Sequence, residues 1–319
     1  MRRISRMILV TAGYNFRMWK KNMRVIAAFL LAFILCFMLT DKLVLFAGKQ
    51  ETTMQLVEPF IWTFGDGNSI LLGSMLFLLL FGDIPFITTA TPFFLIRENR
   101  KIWIAGQFLY IVGACVFYLM FILGSTGILC MKYLFPKNTW SYTAAMLAYS
   151  EKGETLGIPA AVKTLEMSRP YQTMCCIFVL LLLYALVLMF LQMFFTLWKG
   201  QLAGVISALT FSAYGLLLNP DNLKTLLKLP DEFYYKARVI VGWISPLNQA
   251  TYSMHNFGYD NLPSLKETFL IFGSILTILV FLSTRQMKRY NFQFRGRKSN
   301  RRKRMRTVIK LEHVSKKIF

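Results

Sequence analysis

Acidic residues are scarce in this chain: 15 Asp and Glu stand against 37 Lys and Arg, a formal net charge of +22. Charge of either sign is sparse too, at 16% of 319 residues, where a soluble domain carries about a quarter. With 55% hydrophobic residues in long runs, 15% aromatics and a mean hydropathy of +0.47, a soluble fold is excluded. The chain is an integral membrane protein, and its positive charge points to anionic inner-leaflet lipids rather than nucleic acid. Histidine is nearly absent. His255 and His313 lie far apart without a ligand cluster, so no metal site is expected. The five cysteines include no C-x-x-C pair, and the adjacent Cys175 and Cys176 do not bridge without strain, which leaves reduced packing cysteines. No G-x-S-x-G, no H-E-x-x-H and no G-x-x-x-x-G-K-[ST] occurs. The chain is therefore expected to be no enzyme, to bind no cofactor and to leave any ATP hydrolysis to another subunit. Charged residues are also missing from deep within the apolar runs, Asp83 near an inner edge apart. That argues against an ion-coupled carrier and for an external energy source.

What is present is a series of long apolar segments. Residues 1–24 interleave Phe16 and Trp19 with Arg2, Arg3, Arg6, Arg17, Lys20, Lys21 and Arg24. This pattern fits a helix lying on the inner membrane surface, aromatics down and cations among headgroups, or equally a positively charged topogenic tail. Cleavage as a signal peptide is not expected, because the first apolar run starts only near Val25 and is long enough to remain a span. Six spans are read, at about 25–47, 69–88, 102–131, 171–198, 202–218 and 265–283, with Lys199-Gly200 as a tight turn. Residues 48–68 and the mixed segment 132–169 read as outer loops, with Trp140, Tyr142 and Tyr149 as interface anchors. The proline-broken segment 219–264 is expected to form short helices dipping into the outer leaflet. Residues 1–24 carry 7 Lys and Arg and residues 285–319 carry 14, while the outer segments hold most of the acids. The positive-inside rule then puts both termini in the cytoplasm. The expected organisation is an all-α membrane protein: an interfacial segment 1–24, a six-span domain 25–284 and a basic cytoplasmic tail 285–319.

The most informative stretch is DIPFITTATPFFLIRENRKIWIAGQ, residues 83–107. Asp83 ends the second apolar run. A Thr-rich patch leads to Thr91 and Phe93-Phe94-Leu95, then Arg97, Glu98, Arg100 and Lys101, and a new span opens through Trp103 to Gly106-Gln107. Asp83 has two readings: a carboxylate clamping the link through Arg97 or Arg100, or a plain interface residue that snorkels to water. This order resembles the membrane subunit of type-2 ATP-binding-cassette exporters. There, an acidic residue, a Gly-Thr-Leu-like centre, an arginine and a Gly-Lys form the short coupling helix that touches the ATPase. Asp83 stands at the acidic position, Thr91 and Phe93-Phe94-Leu95 at the centre, Arg97 or Arg100 at the basic position and Gly106-Gln107 at the Gly-Lys. The Gly-Thr-Leu triplet itself is absent and Gln replaces Lys. The resemblance extends over most of the chain in span layout. It implies a bacterial cytoplasmic-membrane permease, working with a second copy or paralogue and a separate cytoplasmic ABC ATPase subunit. Such a permease would export an amphiphile: a peptide such as a bacteriocin, a drug, a lipid or a glycan. Phe93 and Phe94 would seat in a groove of the ATPase, and Arg97 and Arg100 would pair with its acids. The closing residues Val308–Phe319 resemble the opening strand of an ABC ATPase and equally satisfy a bare β-strand pattern. A different class stays open beside transport: a membrane scaffold or sensor that recruits a cytoplasmic partner through its basic tail.

Overall fold

The computed structural model describes residues 2–87, 91–97, 99–150, 152–158, 160–228, 230 and 234–290. The chain divides into two compact units, Met1–Lys288 and Arg289–Phe319. The second lies almost wholly outside the described residues, as do the tail's basic run and the Val308–Phe319 segment. The first unit is built almost entirely of helix. In chain order these are α1 (Arg2–Arg17), α2 (Met23–Gln50), α3 (Glu58–Phe64), α4 (Gly67–Leu80), α5 (Thr91–Arg97), α6 (Arg100–Leu129), α7 (Tyr142–Tyr149) and α8 (Lys152–Leu156). They continue with α9 (Val162–Met167), α10 (Pro170–Lys199), α11 (Gln201–Leu217), α12 (Pro220–Leu227), α13 (Tyr234–Ile244), α14 (Pro246–Ala250) and α15 (Leu265–Arg289). Two short strands, β1 (Met54–Gln55) and β2 (Leu134–Phe135), pair in parallel.

Four helices, α2, α6, α10 and α15, are long and apolar enough to cross a membrane, and a fifth span results if α3 and α4 are counted as one. The remaining expected spans exist as helices but are short. α4 has 14 residues, about 21 Å of rise, and α11 has 17, about 26 Å, against a hydrocarbon core of about 30 Å. α4 ends at Leu80, well before residue 88, because Gly82, Asp83 and Pro85 follow it.

The centre of the bundle is α10, whose Leu- and Phe-rich sequence is apolar all round and therefore buried on most sides. It lies against α11, α6, α4 and α3. Gly200, at φ 99°, reverses the chain between α10 and α11. Just beyond it, a Cβ at Gly204 would stand 2.6 Å from the Gln192 carbonyl oxygen, so the two helices meet backbone to backbone.

Residues 48–68, expected as a loop, contain the helix α3. All seven residues of α3 are buried, and α3 meets α4 at an angle of 87°. The bend falls at Gly65-Asp66, where the Asp66 carboxylate accepts a hydrogen bond from Asn68 N and starts α4 as its N-cap. Glu58 is buried because its carboxylate is satisfied by protein. It accepts bonds from Ser141 N (2.8 Å), Ser141 Oγ (2.6 Å) and Gln55 N (3.1 Å). The segment 132–169 is likewise structured. The Trp140 indole donates to Ser168 O and its ring lies 5.5 Å from that of Trp62. Tyr142 and Tyr149 are exposed. Residues 219–264 do form short helices, α12 to α14. After them, His255 sits buried between Tyr252 O and Thr268 Oγ1, and burial pushes its imidazole below the ordinary value.

Candidate functional site

The expected coupling residues lie where the ends of several helices converge. Asn22 caps α2 by accepting from Arg24 N, which sets the Arg24 side chain beside the end of α4. There Arg24 Nη1 donates to Asp83 Oδ1, and Gln201 Nε2, in the first residue of α11, donates both to Asp83 Oδ1 and to Gly82 O at 2.8 Å. From α10, Gln192 Nε2 donates to Phe81 O at 3.0 Å in a buried setting. Asp83 thus ties the ends of α2, α4 and α11 together. Among the described residues the partners of Asp83 are Arg24 and Gln201, and the Arg97 side chain lies outside them. Arg100 Nη1 donates to Lys288 O near the end of α15 at 3.0 Å. The turn at residues 81–87 leaves the Asp83 carboxylate beside Arg24 of α2 and Gln201 of α11.

Between that turn and α6 stands α5, seven residues long. Thr91 is buried, whereas Ile96 is 82% exposed. Phe93, Phe94 and Arg97 lie on the α5 backbone with their side chains outside the described residues, and Glu98 lies outside them altogether. Asn99 occupies the N-cap position of α6, and Lys101 in its first turn is exposed.

Gly106 and Gln107, assigned to the Gly-Lys position, serve α1. A Cβ at Gly106 would meet Thr11 Cβ at 2.7 Å, and Gln107 Oε1 accepts from Asn15 Nδ2 at 3.2 Å. Trp19 Nε1 donates to Tyr110 OH at 2.6 Å, and the Phe16 ring lies 4.9 Å from that of Tyr110. α1 therefore docks on α6 by a face of Thr11, Ala12 and Asn15. The aromatics Phe16 and Trp19, both half-buried, pack against Tyr110. The cations Arg3, Arg6, Arg17, Lys20 and Lys21 stay exposed.

Sequence reasoning located Asp83 and the short helix but missed Arg24, Gln192 and Gln201. Their signal was present only as polar residues at the ends of apolar runs. No group of His, Cys, Asp and Glu that could hold a metal ion occurs among the described residues. Along α10 and α11 runs an open apolar groove of about 820 Å³, walled by Leu191, Phe195, Ile206, Phe211 and Tyr214. No family model, curated protein or solved structure matches the chain.

Proposed function

We propose that the chain is the membrane permease subunit of a type-2 ATP-binding-cassette exporter in the bacterial cytoplasmic membrane. It would pair with a second copy or paralogue and take its energy from a separate cytoplasmic ATPase subunit. In this reading α2, α4, α6, α10, α11 and α15 are the six spans, both termini are cytoplasmic and α5 is the coupling helix. The observation that carries it is α5 itself. A separate helix with an exposed Ile96 sits between the end of one membrane helix and the start of the next, in a stretch whose residue order resembles that family's coupling segment.

The mechanism follows from what α5 is attached to. ATP-driven closure of two ATPase chains pushes on Phe93, Phe94 and Arg97. α6 begins three residues later and receives that push as a rigid lever. Arg100 carries it to the end of α15 through the Lys288 carbonyl. On the other side of α5, Asp83 joins the ends of α2, α4 and α11 by exposed hydrogen bonds that exchange readily with water. Such a joint holds one arrangement of helix ends and releases it under load, as a two-state transporter requires. An amphiphilic cargo is favoured by the apolar groove on α10 and α11 and by the lack of buried ion pairs among the described residues of the long spans.

Gentle extraction of the native complex, followed by mass spectrometry of the intact assembly, tests the proposal. A nucleotide-binding chain should accompany the permease, and the double variant Phe93→Ala, Arg97→Glu should lose it. A permease that runs alone, or a partner retained by the double variant and lost on deletion of residues 285–319, supports the scaffold reading instead.

A further inference from the structure

A cavity of about 220 Å³ opens between α2, α3 and the start of α4, at the far end of α2 from the coupling segment. Its wall is divided in chemistry. Met38, Leu39 and Leu72 make one side apolar, and Met38 and Leu72 are also exposed to the surroundings. The other side carries the Lys42 ammonium and the Asp66 carboxylate, which form no ion pair with each other. Among the described residues, Lys42 Nζ donates to Leu156 O alone, at 2.8 Å. Asp66 Oδ2 accepts from Asn68 N, and its Oδ1 accepts no hydrogen bond from the described residues. The first turn of α4, at Gly67, Asn68 and Ser69, adds the partial positive charge of a helix N-terminus to the same wall. Trp62 lines the same wall and is almost fully buried. One small space therefore offers a cation with amide donors and a free carboxylate oxygen, next to an apolar lip.

The depth of the site narrows the ligand. Lys42 lies 19 residues beyond Met23, about 28 Å along the helix, which is the thickness of the hydrocarbon core. The polar wall thus stands at headgroup level and the apolar lip at the level of acyl chains. An anion alone would face Asp66, and a cation alone would face Lys42. A short-tethered zwitterion satisfies both.

We propose that this cavity binds the headgroup of a zwitterionic phospholipid, its phosphate toward Lys42 and the α4 N-terminus and its ammonium toward Asp66. The inference rests on the membrane architecture and not on ATP coupling. Partner retention and lipid retention are read separately, so either can fail without the other.

The test is native mass spectrometry of the full chain after equal exposure to phosphatidylethanolamine and phosphatidylglycerol. Two conservative variants accompany it. Asp66→Asn keeps a good N-cap, and Lys42→Gln keeps a donor for Leu156 O. The wild type should retain phosphatidylethanolamine over phosphatidylglycerol by about tenfold. Asp66→Asn should bring that ratio near one, Lys42→Gln should lose both adducts, and soluble glycerophosphoethanolamine should fail to compete. Equal retention of the two lipids by the wild type, or a preference untouched in both variants, overturns the proposal. Displacement by glycerophosphoethanolamine also overturns it, in favour of a free zwitterion.

Discussion

Gly204 is the glycine with least room in the helix hairpin at the centre of the bundle. An added Cβ would collide with Thr196 Oγ1 and stand 2.6 Å from Gln192 O. The Thr196 side chain can turn away, but the carbonyl belongs to the α10 backbone. Gly204→Ala is expected to cost about 1–3 kcal/mol by overpacking. Gly124→Ala, with nothing within 4 Å of the new methyl, should lose nothing. Thermal unfolding of the two variants in one detergent checks the contrast. Glu58 is the residue whose removal strands the most partners. Its carboxylate serves three donors, and Glu58→Ala leaves Ser141 N, Ser141 Oγ and Gln55 N without it, a loss of about 3 kcal/mol or more. His255 supplies a pH dependence. Its folded imidazole titrates below the ordinary value, so the unfolded chain binds the proton more readily. Stability is full above about pH 6.5 and falls as pH drops from there toward the lowered folded value. Melting temperatures from pH 7.5 to 5 should fall more steeply for the wild type than for His255→Asn.

At the scale of elements, the joint at Asp83 and the docking of α1 behave differently. The Arg24 and Asp83 side chains are 53% and 41% exposed, so their ion pair stabilises the fold by less than about 1 kcal/mol. Asp83→Asn, which keeps the Gln201 bond, should barely change the melting temperature. It should reduce stimulated ATP hydrolysis in the co-purified complex, because the ends of α2, α4 and α11 are then less firmly tied. An unchanged rate would remove Asp83 from the coupling account. α1 is held by buried contact instead, Thr11 on Gly106 and Asn15 on Gln107. Gly106→Leu should therefore destabilise the protein strongly, whereas a helix resting only on headgroups would leave position 106 free to change.

For the whole molecule, the long apolar runs made α2, α6, α10 and α15 legible at once, because a helix needs about twenty apolar residues to cross the hydrocarbon core and each run supplies them. The charge asymmetry and the turn at Lys199-Gly200 were equally plain. α3 was not legible. Seven residues are too few to show a period, and Glu58 marks a loop unless its partner Ser141, 83 positions away, is known. The same limit hid Arg24 and Gln201 as partners of Asp83, since such pairings are set by how helix ends meet rather than by spacing along the chain. The docking face of α1 went unread because Thr11, Ala12 and Asn15 are small or polar residues among conspicuous aromatics and cations.

The central claim is that α5 receives an ATPase. Mass spectrometry of the intact, gently extracted assembly tests it most directly. The account predicts permease and nucleotide-binding chains in equal number, with the Phe93→Ala, Arg97→Glu variant folded but stripped of the nucleotide-binding chain. A partner retained in full by that variant would contradict it.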